Sequence, residues 1–135
     1  VENIGQPAFI KSFDLKTKKT TVWTKSRLPE VLTGTVRPPE KIRWRSSDSK
    51  EISGYIVKPA KIEKKSPVLV FIHGGPQVVD RPTFSSLDVR FATFLGLSII
   101  HTNIRGSRGF GNDFMDADNG AKREDAVRDI SSLLD

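Results

Sequence analysis

Val68-Leu69-Val70-Phe71-Ile72 is an unbroken apolar run that ends at once in His73-Gly74-Gly75-Pro76. A short apolar run closed by glycine and proline reads as a strand apolar on both sides of its pleat, the kind that helices cover on both faces of a parallel sheet. No other feature constrains the chain as strongly toward an α/β architecture. The two glycines have a second consequence. Without a Cβ, their backbone N–H groups can approach a ligand that a side chain would block. In open α/β sheets, ligands bind just beyond the carboxyl ends of the strands. An acyl-transfer enzyme needs backbone donors at such a place to hold an oxyanion. His73, Gly74 and Gly75 are therefore candidate site residues. His73 has no acidic partner identifiable by spacing, so the general-base role is not assigned to it.

The sequence downstream keeps the same grammar. Phe84, Leu87, Phe91, Phe94 and Leu95 recur at helical spacing and mark one apolar helix face. Gly96 stands where a helix C-terminus favours glycine. Leu97-Ser98-Ile99-Ile100 reads as a second buried strand. Strand, helix, strand predicts a right-handed βαβ unit with parallel strands. Beyond a loop at 103–120, Val127, Ile130, Leu133 and Leu134 mark another amphipathic helix.

Upstream the pattern differs. Ile42 and Trp44 alternate with charged residues, Ser46–Lys50 is a turn, and Ile52–Val57 returns. Alternation predicts antiparallel strands with one wet face. Ala8–Phe13, the polar turn Asp14–Lys19 and Thr20–Thr24 form a hairpin pattern. Residues 25–40 hold Pro29, Pro38 and Pro39 without a sustained period and read as a linker. The predicted organisation is a unit at 1–40 and a second at 41–135.

Composition excludes several chemistries. The chain has no cysteine, so disulfides, thiolate catalysis and cysteine-ligated zinc are out. Two histidines, His73 and His101, are too few and too ordinarily placed for a metal site, and no cofactor is expected. His101, at the end of the second apolar strand, reads as a packing or hydrogen-bonding residue. No stretch approaches the roughly 20 apolar residues of a membrane helix. Val1–Ile10 has neither the basic start nor the apolar core of a leader. With the absence of cysteine, the expectation is a cytoplasmic protein. The basic excess is confined to one half: residues 1–65 carry 15 Lys+Arg against 7 Asp+Glu, and residues 66–135 carry 7 against 9. Lys16, Lys18, Lys19, Arg43, Arg45, Lys61, Lys64 and Lys65 are scattered over strands and loops. They read as a solvated surface rather than a nucleic-acid face.

The second marker is Asn103-Ile104-Arg105-Gly106-Ser107-Arg108-Gly109-Phe110-Gly111. It follows the second buried strand, so it lies on the same sheet edge as His73–Pro76. Its glycine order is Gly-x-x-Gly-x-Gly, unlike the dinucleotide fingerprint, and it lacks the P-loop lysine. A nucleophile elbow needs glycine two residues before and two after the serine. Arg105 stands two before Ser107, and no serine in the chain satisfies the spacing.

His73–Pro76 resembles the His-Gly-Gly-Pro motif of the prolyl oligopeptidase family of serine peptidases, nearest to its acylaminoacyl-peptidase and dipeptidyl-peptidase-like members. Asn103–Gly111 resembles that family's Asn-x-Arg-Gly-Ser-x-Gly-aromatic-Gly segment, and Glu124-Asp125 its following acidic pair. The resemblance covers about Lys41 to Asp135. The hairpin at 8–24 resembles the end of the β-propeller that precedes the catalytic domain. The resemblance implies the first strands of an α/β-hydrolase that cleaves short peptides. It implies that the Gly75 N–H forms part of the oxyanion hole, and that Asn103, Arg105 and Gly106 support the site. His73 stands where some relatives place an assisting tyrosine. The family order of serine, acid and histidine begins after the helix near Glu124, so none of the triad is expected in this chain. By itself it is expected to be inactive. Leu97–Ile100 is expected to lack a parallel neighbour and to invite self-association through an unpaired edge. A non-catalytic binding module, a degenerate hydrolase and a carboxylesterase on the same fold are the alternatives.

Overall fold

The computed structural model describes residues 7–62, 66–75 and 77–134. Pro76 of the first motif, Lys64 and Lys65 of the basic run, and Asp135 lie outside them. The chain forms β1 (Lys11–Phe13) and β2 (Thr20–Val22), then β3 (Glu40–Arg45), β4 (Glu51–Val57), β5 (Val68–Ile72), α1 (Ser86–Leu95), β6 (Ser98–Asn103), α2 (Asn112–Met115) and α3 (Arg123–Leu134). Strands β1 and β2 pair antiparallel as an exposed hairpin. Asp14 builds its turn, accepting the N–H groups of Lys16 and Thr17 at 2.8 and 2.9 Å. Residues 25–40, read as a linker, carry a short 3-10 turn at Glu30–Leu32 and bury Leu32.

The second sheet is mixed, with strand order β3-β4-β6-β5. Strands β3 and β4 pair antiparallel and give the expected wet face: Lys41, Arg43 and Arg45 are exposed, while Ile42 and Trp44 are half-buried. The core gathers Ile52 and Val57 of β4, Ile99 of β6, and Val89 and Ala92 of α1. The parallel pairing of β5 with β6 across α1 matches the βαβ pattern.

Three expectations need correction. Leu97–Ile100 was expected to lack a neighbour, but β6 is paired on both sides, antiparallel to β4 and parallel to β5. The chain passes over β5 and inserts β6 beside β4, and a glycine permits that approach. A Cβ on Gly54 would lie 2.3 Å from the His101 carbonyl oxygen. Among the described residues the open edge therefore belongs to β5. That strand is not buried on both faces, and Val68 and Ile72 keep about half their surface exposed at 54% and 49%.

The helix faces also differ from the apolar patterns. In α1, Leu87, Phe94 and Leu95 are exposed, whereas Asp88, Val89 and Ala92 are buried. At 100° per residue, the buried stripe is turned well away from the apolar one. The cause is polar: Asp88 reaches inward to His101 and fixes the helix rotation. Ser85 caps α1 by accepting the Asp88 N–H at 3.2 Å, and Gly96 ends it in the left-handed region at φ 64°. In α3 the buried residues are Ala126 and Asp129, while Val127 and Leu134 are exposed.

Candidate active site

Parallel strands end side by side, and Ile72 of β5 pairs with Thr102 of β6. The two glycine-containing loops thus emerge together at the same sheet edge. Stitches between them are specific. Asn103 Oδ1 accepts the Asp80 N–H at 2.8 Å, and its Nδ2 donates to the Asp80 carbonyl at 3.0 Å. The Arg108 N–H donates to the Val78 carbonyl at 3.3 Å, and the Arg108 side chain donates to the Gln77 carbonyl. Across the gap, His73 Nε2 lies 2.9 Å from Ser107 Oγ. The Ser107 hydroxyl donates to the Ile104 carbonyl at 2.6 Å. With that proton committed, the hydroxyl oxygen can only accept, so His73 carries its proton on Nε2 and donates it. This is therefore not an activated nucleophile: the base nitrogen bears the proton, and Ser107 is 0% exposed.

Arg105 is the most constrained cation of the described residues, 4% exposed. Its Nη2 donates to Asp129 Oδ1 at 2.7 Å and its Nε to both Asp129 oxygens, while its backbone N–H meets Asp129 Oδ2 at 3.0 Å. Asp48, in the turn between β3 and β4, takes the outer guanidinium at 2.9 and 3.0 Å. Asp125, of the acidic pair at the head of α3, is a weaker third partner at 3.6 Å, and Glu124 is exposed. The hydrogen bond to Asp129, against the cost of burial, raises the Arg105 pKa; the same guanidinium holds Asp48 below the usual carboxylate range. Trp44 Nε1 adds a 2.7 Å bond to the Asp129 carbonyl. One side chain thereby joins β3, the loop after β6, and α3.

Gly106 must be glycine for two reasons. Its φ is +94°, and a Cβ there would lie 2.6 Å from the Asp118 carboxylate. Asp118 is buried and pairs with Arg123 at 2.7 Å, while its Oδ1 has no partner among the described residues.

Gly74 and Gly75 are exposed, and Gly75 adopts φ +56°. Among the described residues neither N–H is engaged in a hydrogen bond. They border an open cavity of about 400 Å³ whose wall includes Ile72, His73, Asp118, Arg123 and Ile130. His101 lies deeper, within β6. Its Nε2 is 2.8 Å from Asp88 and its Nδ1 3.3 Å from Asp80, and its ring stacks on Tyr55 at 4.6 Å. Burial opposes its charge most strongly, but the hydrogen bonds and charges of Asp88 and Asp80 outweigh that and raise its pKa. Among the described residues no cluster of three His, Asp or Glu side chains is arranged to hold a metal ion. No helix of the described residues is long and apolar enough to cross a membrane.

The structure brings His73, Gly74 and Gly75 beside the Asn103–Gly111 loop. The partners Ser107, Asp129, Asp48 and Asp80 carried no sequence signal. Each is separated from its mate by 21 residues or more, as in His101–Asp80 at 21 and Arg105–Asp48 at 57.

No family model matches the chain. The chain is 31% identical over 98 residues to YuxL, an uncharacterized peptidase of Bacillus subtilis, covering 69% of this chain and 15% of that protein. It is 31% identical over 83 residues to dipeptidyl aminopeptidase BIII of Pseudoxanthomonas mexicana, covering 56% of this chain and 12% of that protein. The chain thus spans about a seventh of the length of these relatives. Among solved structures, the acylaminoacyl peptidase of Pyrococcus horikoshii superposes with a TM-score of 0.73 at 26% identity, covering 98% of this chain and 21% of the other. A post-proline cleaving enzyme of Rickettsia typhi superposes at 0.77 and 25% identity, over 98% of this chain and 19% of the other. Sequence relatives and solved structures agree with the paired loop motifs, and the chain belongs to the prolyl oligopeptidase family of peptidases.

Proposed function

We propose that this chain is the oxyanion-binding segment of a serine-type peptidase that hydrolyses short peptides. The single observation that carries this reading is the free, exposed Gly75 N–H at the carboxyl end of β5. It is presented at a positive φ beside a cavity, on the loop that His73 ties to Ser107. Such a donor stabilises the negative oxygen of a tetrahedral intermediate, and losing one typically costs about 10²–10³ in kcat. The family relationship supports peptide bonds as the substrate class.

The sequence holds no Gly-x-Ser-x-Gly serine, and its two histidines are engaged with Ser107, Asp88 and Asp80. On this reading the nucleophile and its base come from residues other than these 135, and the 135-residue chain alone has no turnover. The hairpin β1–β2 then belongs to a preceding propeller, and the open β5 edge is where further sheet, or a second copy of the isolated chain, pairs. The test is hydrolysis of short peptide anilides by the purified 135-residue chain and by a full-length protein carrying it. Turnover by the longer protein alone is expected. Turnover by the short chain, or by neither, contradicts the proposal.

A further inference from the structure

We propose that His73 and Ser107 are positioning residues that aim the Gly75 N–H; the inference rests on the peptidase reading of that N–H. The Gly74 carbonyl and the Gly75 N–H belong to one peptide plane, and in a trans peptide they point in opposite directions. Whatever holds the carbonyl therefore sets the direction of the donor. The His73 ring is the side chain in contact with that carbonyl, with Nδ1 3.4 Å from the Gly74 oxygen. The contact is long, so it orients by its dipole rather than as a strong bond.

The ring itself is fixed from its other side. Nε2–H donates to Ser107 Oγ at 2.9 Å, and Ser107 is locked by its own 2.6 Å bond to the Ile104 carbonyl. Ser107 is 0% exposed, so water does not compete for it. Ser107 also stands one residue from Gly106 and two from Arg105, the ion-paired anchor of the loop. A rigid anchor thus reaches the flexible Gly74-Gly75 backbone through Arg105, Ser107 and His73. Two adjacent glycines have the widest conformational freedom of any dipeptide, and this chain of contacts restricts it. The histidine position before the double glycine thereby has a role that needs no proton transfer.

The test is a double-mutant cycle in the full-length protein, read as kcat and KM on a short peptide p-nitroanilide. Ser107→Ala and His73→Ala are each expected to lower kcat about tenfold, less than outright loss of the donor, with KM within about twofold. Together they are expected to do no more than the worse single change, because both cut the same link. His73→Gln places an amide nitrogen near the position of Nε2, so it is expected to recover kcat to within about threefold of wild type. Additive losses, effects confined to KM, or a Gln variant as poor as the Ala variant overturn the proposal. Should Ser107→Ala not fold, the His73→Ala and His73→Gln pair decides alone. Nitrogen NMR of the His73 ring separates this inference from the peptidase reading. An Nε2–H tautomer whose signal moves in Ser107→Ala supports the clamp even in a protein without turnover. An Nδ1–H tautomer overturns it.

Discussion

The two loops at the carboxyl ends of β5 and β6 lie side by side and are built in opposite ways. The loop after β6 buries charge: Arg105 and Asp129 are 4% and 0% exposed and share several hydrogen bonds, with Asp48 completing the guanidinium. The loop after β5 leaves backbone bare, with Gly74 and Gly75 exposed and His73 as its tie to the neighbour. The contrast shows a division of labour. A donor that must meet a developing charge has to be free of internal partners, so its position must be set from outside. The ionic network supplies that fixed point.

Removing the anchor should have the largest effect. Arg105→Leu leaves Asp129 buried without its cation, and breaking a buried pair in this way costs about 3–5 kcal/mol. Chemical denaturation of the variant measures it, and a loss under about 1 kcal/mol would mean the network contributes little. Next comes Gly106→Ala, where a Cβ meets the Asp118 carboxylate at 2.6 Å with φ at +94°. A non-glycine residue held in such a region costs about 1–3 kcal/mol. The same substitution at Gly74, which has open space around it, should change stability by under about 0.5 kcal/mol. Equal losses at the two glycines would erase the contrast between the loops.

A third prediction concerns pH. His101 binds its proton more tightly in the fold than its ordinary value of 6.5. That contribution is fully present below the unfolded value and is lost as pH rises through the higher folded value. Stability should therefore decline with pH from about 6.5 upward. Asp88→Asn, which removes the first of the two carboxylates, should flatten the decline. A profile unchanged by that variant would deny the ion pair. The smallest effect is expected at the surface pair Arg43–Glu51, whose side chains are 56% and 63% exposed. Arg43→Ala should cost under about 1 kcal/mol, and less still at high salt.

Much of this fold is written locally. The hairpin, the β3–β4 turn, β5, α1 with its Gly96 stop and the parallel β5–β6 pairing all follow from periodicity and turn residues. What periodicity cannot carry is which neighbour a strand takes. Insertion of β6 between β4 and β5 depends on Gly54, some 47 residues before His101 in the chain, and no local pattern announces it. The helix faces misled for a related reason. Asp88 and Asp129 break the apolar stripes of α1 and α3, yet each turns inward because a buried His101 or Arg105 waits there. Buried carboxylates look like surface residues until their partners are known. The site was half legible. Paired glycine motifs located the loops, but Ser107 looked only like a failed elbow, and its bond to His73 spans 34 residues.

The most direct measurement is a crystal structure of the full-length protein with a peptide boronic acid. The boronate mimics the tetrahedral intermediate and puts an oxygen where the oxyanion forms. The expected result is that oxygen within about 3.1 Å of the Gly75 nitrogen, with the His73–Ser107 bond intact. An adduct whose oxygen is held elsewhere, with the Gly75 N–H facing solvent, would contradict it.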